Sequence, residues 1–565
     1  METALSETLP ALASEWWSAL RTPPEDPTWR TLEHFLALLA LFKVLAAAWA
    51  LAKLGPAKAY KKVVGAIFGS LSSMPGFGGL VEKGLEKELT QIRKELLGDG
   101  DSDAWRAIPR KALRRAEVVK KLRDAKGQAV GYAKGQKWGG IYHEDDSELT
   151  RLQNEAYGLF NCSNTLYPGT FPGVRKFEAE IVSMALGIVH GHEVGGVGLL
   201  SSGGTESIIL AVLAYREEGR RRGIAEPEII CGLSAHPALT KACQYLGVTQ
   251  VKTALDPATM GMDVAKVAGA ITPRTVAIYA SAPSFTHGVV DPVEALSDLC
   301  VRVGGRNSSG AGPRVGLHVD NCLGGFLLSF MSRSETFTRP WDFAVSGVTS
   351  MSVDVHKYGL ASKGVSVCCF RDASLRRGTY MPSVDGCEGL YITPTLQGSR
   401  SGGIIAQAWA TLLGTGEDGY EKMAAEMVSL VDRVKAAVGP GSPNPELQLL
   451  VEPDAAIVPI VAAPGGALGG TIYQVASVLE AKGWNMFTGQ HPPVMSVCLG
   501  EQHNRTLGTL LKDLKAAVAT VKKNPGMKLE GQCAVYGAAA TIPDELLDSV
   551  LRSYCDIRLS VKEKK

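Results

Sequence analysis

An alternation of apolar, β-branched segments with amphipathic helical segments runs through the middle of the chain and limits its possible folds more than any other feature. The pattern predicts strands at 228–232, 275–280 and 315–319, with helices at 239–246 and 293–303. Strands that alternate with helices favour a largely parallel sheet covered on both faces. The sequence therefore predicts an α/β fold in which ligands bind beyond the carboxyl ends of the strands.

Polar residues with chemical potential follow these strands. Ser281 and Asp320 each come directly after a predicted strand, and His236 ends the short Ser234-Ala235-His236 segment that follows another. Lys357 lies in a turn between two further apolar runs, 343–350 and 364–370, which are predicted to be strands. Most lysines are solvated surface charges, but a lysine held among apolar strands loses its proton more easily and becomes an amine nucleophile.

A glycine-rich turn precedes another helical segment. Ser202-Gly-Gly-Thr-Glu-Ser207 is followed by apolar residues at helical spacing. Glycines before a helix let its first amides approach an anion, and hydroxyl side chains add donors. A plain helix cap is the alternative, and the absence of Gly-Lys-Ser/Thr excludes a Walker loop.

Pyridoxal phosphate (PLP) suits this combination of residues. Lys357 would bind its aldehyde as an imine, and Asp320 would keep its pyridine nitrogen protonated so that the ring accepts electrons. His236 would stack on the ring, or would simply satisfy the helix start before Pro237. The phosphate would be held at the glycine-rich turn and beside the lysine, by Gly204, Thr205 and His356.

Several motifs resemble known families. The segments 202–207, 318–326 and 354–359 are similar to the fold-type I PLP lyases and decarboxylases, which share the aspartate aminotransferase-like fold. Further segments resemble the sphingosine-1-phosphate lyase family in particular: 171–180, 287–292, 363–364, 398–403 and 536–537. The likeness extends from about residue 127 to residue 557.

The resemblance implies cleavage of a phosphorylated long-chain base to a long-chain aldehyde and phosphoethanolamine. It also implies a homodimer whose active sites lie at the subunit interface. The expected organisation has four parts: an N-terminal tail and anchor at 1–60, a linker and N-terminal extension at 61–170, a PLP-binding large domain at 171–418, and a smaller C-terminal α+β domain at 419–565.

Matching positions give further site residues. Candidates for binding the substrate phosphate or for proton transfer are Tyr142, Lys363 and Tyr536, with Asn164 and Tyr167 as further substrate ligands. Further cofactor ligands are Ser281 and, from the neighbouring subunit, Tyr391, Gly398 and Ser399. Tyr167 stands where the family often has a histidine, and Ser401 replaces a usual proline. The base for the C3 hydroxyl stays open between His356, Lys363 and the phosphate of the substrate itself.

The segment 32–54 is apolar enough to span a bilayer as a helix, although Lys43 lies near its middle. Lysines follow it and several acids precede it, so the positive-inside rule places the body of the chain in the cytosol. An amphipathic or buried helix is the alternative. With the resemblance, this predicts a single-pass protein of the endoplasmic reticulum membrane.

Composition excludes some classes of function. The formal net charge is +2, and no basic run with interleaved aromatics suggests a nucleic-acid partner. His190-Gly-His192-Glu193 is better explained as a surface turn than as a metal site, so no metal is predicted. The eleven scattered cysteines indicate reduced thiols. Two other functions remain: an amino-acid decarboxylase, and an inactive membrane-tethered scaffold with the same fold.

Overall fold

The computed structural model describes residues 105–129, 134–145, 147–303, 314–387, 389–468, 472–529 and 544–561, with positions 90, 93, 94 and 533. The chain divides into two compact units, residues 119–536 and residues 1–118 with 537–565. The predicted anchor at 32–54 lies outside the described residues. Among the residues described, no helix is long and apolar enough to cross a membrane.

A seven-stranded sheet forms the centre of the larger unit. Its strands are β1 (Val197–Ser201), β2 (Glu228–Gly232), β3 (Thr249–Thr253), β4 (Thr275–Ser281), β5 (Gly316–Asp320), β6 (Val348–Val353) and β7 (Ser366–Phe370). The order across the sheet is β1-β7-β6-β5-β4-β2-β3. Strands β2 to β6 pair in parallel, and β7 is antiparallel to both neighbours. The predicted α/β fold with a mostly parallel sheet is confirmed.

Helices connect and cover these strands. They are α1 (Arg115–Gly127), α2 (Glu148–Phe160), α3 (Pro172–Ile188), α4 (Gly204–Arg221), α5 (Pro237–Leu246), α6 (Val264–Ala270), α7 (Val293–Arg302), α8 (Gly325–Arg333), α9 (Ala373–Arg377), α10 (Gly402–Lys435), α11 (Tyr473–Ala481), α12 (His503–Lys523) and α13 (Asp544–Leu559). Helix α13 belongs to the smaller unit.

Two small antiparallel sheets complete the strands. β8 (Met381–Ser383) and β9 (Tyr391–Thr393) form a two-stranded sheet. β10 (Leu447–Leu449), β11 (Ile457–Ala462), β12 (Phe487–Gly489) and β13 (Val494–Cys498) form a four-stranded sheet in the order β10-β11-β13-β12. The predicted domain boundary at 418/419 falls inside α10, close to Gly416, where a φ of 64° interrupts the helix.

The central strands are buried along their whole length. Every residue of β2, β4, β5, β6 and β7 is buried. Strands covered on both faces need apolar residues at successive positions, so their sequences form continuous apolar runs. The parallel register sets Ser281 beside Asp320, and Asp320 beside Ser352. Three polar residues thus lie side by side at the carboxyl ends of neighbouring central strands.

The predicted strand at 343–350 is corrected by the structure, because β6 begins only at Val348. The guanidinium of Arg371 donates hydrogen bonds to the carbonyl oxygens of Phe343 (2.8 Å) and Val345 (2.7 Å). It also bonds the carbonyl of Val348 at 2.5 Å. A side chain therefore satisfies backbone groups that a strand would otherwise pair, and apolar periodicity does not reveal this.

Candidate active site

Lys357 lies in the turn between β6 and β7, as predicted. Its Nζ is 3.1 Å from Oδ2 of Asp354, whose side chain is only 1% exposed. Burial is the largest influence on Lys357 and lowers its pKa, as predicted, but Asp354 together with Cys322, Tyr142 and Asp320 raises that pKa above its usual value. The neighbouring carboxylates therefore favour the ammonium form of this lysine.

Asp354 also orients His356. Oδ2 of Asp354 is 3.4 Å from Nε2 of His356. Nδ1 of His356 accepts hydrogen bonds from the amides of Gly364 (3.3 Å) and Val365 (3.2 Å). Burial raises the pKa of the Asp354 carboxyl, yet the charge of Lys357 and the hydrogen bond from His356 more than offset this and hold it well below its usual range. Asp354 is thus a fixed anion beside the lysine.

Asp320 ends β5 and carries a second buried carboxylate. It accepts hydrogen bonds from the Tyr279 hydroxyl, from Oγ of Ser352 (3.0 Å) and from the amide of Cys322 (3.1 Å). Burial raises the pKa of Asp320, but the nearby His236 and Lys357 and the hydrogen bonds from Tyr279 and Cys322 together lower it below the usual value. The carboxylate is therefore ionised and suited to accept an N–H from a ring nitrogen.

His236 begins helix α5. Its Nδ1 accepts a hydrogen bond from the amide of Ala238 (3.1 Å), so it does cap the helix. Its ring meets Phe285 edge-on, with centroids 5.1 Å apart. Burial lowers the pKa of His236, although the Asp320 carboxylate opposes that shift. His236 therefore caps the helix and also interacts electrostatically with Asp320.

The start of α4 is tightly packed around Gly204. A Cβ on Gly204 would lie 2.6 Å from Sγ of Cys322 and 2.9 Å from both carboxylate oxygens of Asp354. Thr205 is exposed. The first amides of a helix have no acceptor inside the helix and favour an anion. These amides and the Thr205 hydroxyl form a donor set that fits a phosphate. The ring nitrogens of His356 already face Gly364, Val365 and Asp354, so its predicted phosphate contact stays a prediction.

Lys363 lies in the turn between β6 and β7 and contacts Tyr142. Nζ of Lys363 donates to the carbonyl oxygen of His356 (2.8 Å) and lies 4.7 Å above the Tyr142 ring. Burial of the amine and the charge of Lys357 lower the pKa of Lys363 to about 8. Tyr142 is buried, with its ring edge against Tyr358 at 4.9 Å. The structure thus brings together two residues that are far apart in sequence.

A second group of predicted residues surrounds the turn before α10. Nδ2 of Asn164 donates to Oγ of Ser399 (2.9 Å). A Cβ on Gly398 would lie 2.6 Å from the Tyr391 hydroxyl, so these two are in close contact. Tyr167, which is close to Asn164 in sequence, is exposed. Among the described residues, no hydrogen bond joins this group to Lys357. Tyr536 lies outside the described residues.

Sequence reasoning missed several residues that shape the site. They are Asp354, Tyr279, Ser352 and Glu206. Buried Glu206 accepts from the amide of Ser202 (2.7 Å) and from the amide of Leu396 (3.0 Å), so it links the two groups of predicted residues. The available signal was a polar residue inside or next to an apolar run, because buried polar groups require partners.

Comparisons with known proteins agree with this arrangement. Residues 172–458 match the family model of the pyridoxal-dependent decarboxylase conserved domain. Sphingosine-1-phosphate lyase 1 of Rattus norvegicus is 34% identical over 510 residues, which cover 89% of this chain and 85% of the rat protein. The chain belongs to the sphingosine-1-phosphate lyase family. The predicted family is therefore confirmed, and so is PLP as the cofactor.

Solved structures support the membership of the sphingosine-1-phosphate lyase family. The sphingosine-1-phosphate lyase of Burkholderia pseudomallei is 31% identical, with a TM-score of 0.73 over 82% of this chain and 100% of that one. The glutamate decarboxylase of Lactobacillus brevis is 19% identical, with a TM-score of 0.63 over 74% of this chain and 95% of the decarboxylase. That second likeness shows the shared fold alone.

Proposed function

We propose that this protein cleaves sphingosine 1-phosphate and related phosphorylated long-chain bases between C2 and C3. The products are a long-chain aldehyde and phosphoethanolamine. Relatives named sphingosine-1-phosphate lyase support this reaction. The observation that carries it is Lys363, a second cation beside Lys357, with its Nζ 4.7 Å above the ring of Tyr142. A substrate with an ionised phosphate needs such a cation, and a decarboxylase substrate does not.

The side chains divide the work of binding. PLP, when bound, supplies a protonated ring that accepts the electron pair of the broken C2–C3 bond. Lys357 would hold the cofactor through its aldehyde. Asp320 accepts the N–H of the ring nitrogen. The cofactor phosphate would be held at the start of α4, by the amide of Gly204 and by the amide and hydroxyl of Thr205; the predicted contact with His356 would need one of its ring nitrogens to be released from its present partners.

The reaction also moves two protons. The C3 hydroxyl loses its proton as its carbon becomes the aldehyde, and C2 later gains a proton. Both ring nitrogens of His356 already face partners, because Nδ1 accepts two amides and Nε2 faces Asp354. The base is therefore better sought in Lys363, whose pKa of about 8 leaves part of it neutral near neutral pH, or in the substrate phosphate.

Purified protein loaded with PLP tests the proposal. A phosphorylated long-chain base should yield aldehyde and phosphoethanolamine, and unphosphorylated sphingosine should react very poorly. Equal turnover of both bases, or release of carbon dioxide from an amino acid, would favour the decarboxylase. No turnover of either class by protein that binds PLP would favour the scaffold.

We propose further that the active form is a homodimer with shared sites. The β8–β9 segment exposes several large apolar side chains: Met381, Val384, Leu390, Tyr391 and Ile392. Exposed apolar clusters of this kind mark interaction surfaces. Tyr391 belongs to that cluster and contacts Gly398, so a second copy seated there would lie next to the predicted shared ligands.

Membrane attachment is a separate proposal. The apolar segment 32–54 would anchor the protein in the endoplasmic reticulum membrane, with the catalytic unit in the cytosol. The full chain should then resist extraction by alkaline carbonate, whereas a chain that starts after residue 100 should be soluble and active. Release of the full chain by carbonate would favour an interfacial helix instead.

A further inference from the structure

A row of buried polar side chains extends from Asp320 into the interior of the protein. None is more than 3% exposed: Tyr215, Tyr279, His318, Ser350 and Ser352. They come from α4, β4, β5 and β6, so four elements contribute to one cluster. We call these five residues the Asp320 network. Buried polar groups are costly unless paired, so a network this deep needs a reason.

Consecutive contacts connect the network to the carboxylate. The Tyr215 hydroxyl is 2.6 Å from Oγ of Ser350, which is 2.8 Å from Nδ1 of His318. Nε2 of His318 is 3.5 Å from Oγ of Ser352, and that oxygen is 3.0 Å from Oδ1 of Asp320. On the other side, the Tyr279 hydroxyl donates to Oδ2 of Asp320. The Tyr279 ring also stacks on His318, with centroids 5.3 Å apart.

The carboxylate fixes the direction of the first bond in this chain. An ionised carboxylate only accepts, so the single proton of Ser352 points to Asp320. The Ser352 oxygen can then only accept, from Sγ–H of Cys322 (3.1 Å) and from Nε2–H of His318. Nδ1 of His318 then accepts from Ser350, and Ser350 accepts from Tyr215. Burial lowers the pKa of His318 to about 4, so the ring is neutral and has one donor and one acceptor nitrogen.

We propose that His318 is a positioning residue, neutral with its proton on Nε2, which directs the Ser352 hydroxyl to Asp320. With Tyr279, it holds the carboxylate ionised and aimed at the ring nitrogen of PLP. The inference rests on the proposed role of Asp320. Other titratable groups also act on that carboxylate, namely His236, Lys357 and Cys322.

The network affects the proton that the Asp320 carboxylate shares with the ring nitrogen of PLP. Donors from Tyr279 and Ser352 make the carboxylate less basic, so the proton stays on the ring nitrogen. Without these donors the carboxylate becomes more basic and takes a larger share of the proton. The ring would then accept electrons less well, although PLP would still bind through Lys357 and the start of α4.

Holoenzyme reconstituted with PLP labelled with ¹⁵N in the ring tests this directly. The wild type should show a protonated ring nitrogen at neutral pH. Tyr279→Phe and Ser352→Ala, singly and together, should shift the signal toward the unprotonated form and lower kcat by about ten- to a hundredfold with KM little changed. Tyr473→Phe is the matched control, because it removes a buried hydroxyl that donates to Gly489 (2.7 Å) elsewhere in the fold. A protonated ring nitrogen in the double variant would overturn the inference.

A second measurement needs no substitution at the carboxylate. In protein with ¹⁵N-labelled histidine, the His318 signals, assigned by their loss in His318→Phe, should show the proton on Nε2. A proton on Nδ1 would reverse the chain and overturn the proposal. Neither spectrum requires substrate. An error in the proposed substrate would therefore leave both results intact, whereas an error about the network would change them.

Discussion

Asp354 determines the electrostatics around the lysine. Its carboxylate lies 3.1 Å from Lys357 Nζ and 3.4 Å from His356 Nε2, and a Cβ on Gly204 would come within 2.9 Å of both its oxygens. One buried anion therefore touches the lysine, the histidine and the helix start. A single charge at this position links the turn that carries Lys357 and His356 to a helix start about 150 residues earlier in the sequence.

Replacing Asp354 with Ala should lower the free energy of unfolding by about 3–5 kcal/mol, because it removes the buried carboxylate that pairs with the part-buried Lys357 ammonium. The pKa of Asp354 is lower in the folded than in the unfolded protein. Its charge therefore stabilises the fold above the ordinary aspartate pKa of about 4, and this contribution is lost as the pH falls below it.

Urea unfolding of both proteins at several pH values measures this difference. It should be constant between about pH 5 and pH 8 and should shrink in acid. The control is Asp124→Ala, which breaks an exposed ion pair with Lys120 and should cost less than about 1 kcal/mol. An equal small effect of both substitutions would show that Asp354 is not a critical counter-charge.

Lys363 should give substrate binding a pH dependence. Its pKa of about 8 lies below the ordinary lysine value of 10.5. The amine is therefore charged below pH 8 and neutral above it, so KM for a phosphorylated base should rise as the pH increases through that value. Lys363→Arg should move the rise to higher pH, because a guanidinium keeps its charge.

Lys363→Ala should lower kcat/KM for the phosphorylated base by about ten- to a hundredfold. PLP binding should be nearly unchanged, because the cofactor phosphate is bound at the start of α4. Lys120→Ala removes an exposed cation from α1 and is the control. A pH-independent KM in the wild type would contradict the assignment of Lys363 to the substrate phosphate.

The start of helix α4 depends on the absence of a side chain at Gly204. In Gly204→Ala, the new Cβ would lie 2.6 Å from Cys322 Sγ, too close for any real contact. The helix start or the Asp354 carboxylate must then shift, and the first amides no longer point at the phosphate. The apparent Kd for PLP, measured by fluorescence titration, should rise about tenfold or more, at 1.4 kcal/mol per decade.

Gly508→Ala is the matched control for that change. Gly508 lies inside helix α12, and a Cβ there meets nothing within 4 Å. Alanine is the better helix former, so this variant should keep its PLP affinity and gain up to about 1 kcal/mol of stability. Equal PLP affinity in both variants would show that the start of α4 does not hold the cofactor.

The elements were more predictable than the contacts. Apolar periodicity located β2, β4, β5 and β7, and strand ends located His236, Ser281, Asp320 and Lys357. The same periodicity misplaced the start of β6, because Arg371 binds the carbonyls of Phe343 and Val345. It also gave no sign of the ion pair with Asp354, because apolar spacing does not show that the turn after β6 folds this carboxylate back onto Lys357, three residues later.

The proposed dimer would use a part of the surface that the isolated chain leaves exposed. Leu390 is 84% exposed, Met381 70% and Ile392 57%. Residues of this size are normally buried, and here they lie together around β8 and β9. The same segment bears Tyr391, which contacts Gly398. A second copy that covered these side chains would bury them and complete the site in one step.

Ile392→Glu should therefore turn the dimer into a monomer and abolish most of the lyase activity, because a charge cannot be buried unpaired at an apolar contact. Analytical ultracentrifugation gives the mass, and far-UV circular dichroism checks that the fold is kept. Val301→Glu is the matched control: Val301 is 55% exposed on α7, away from β8 and β9 in sequence, and its variant should stay dimeric and active. If Ile392→Glu stayed dimeric, the β8–β9 segment would not be the contact. If it became monomeric with full activity, each chain would hold a complete site, and the assignment of Tyr391, Gly398 and Ser399 to a neighbouring subunit would be wrong.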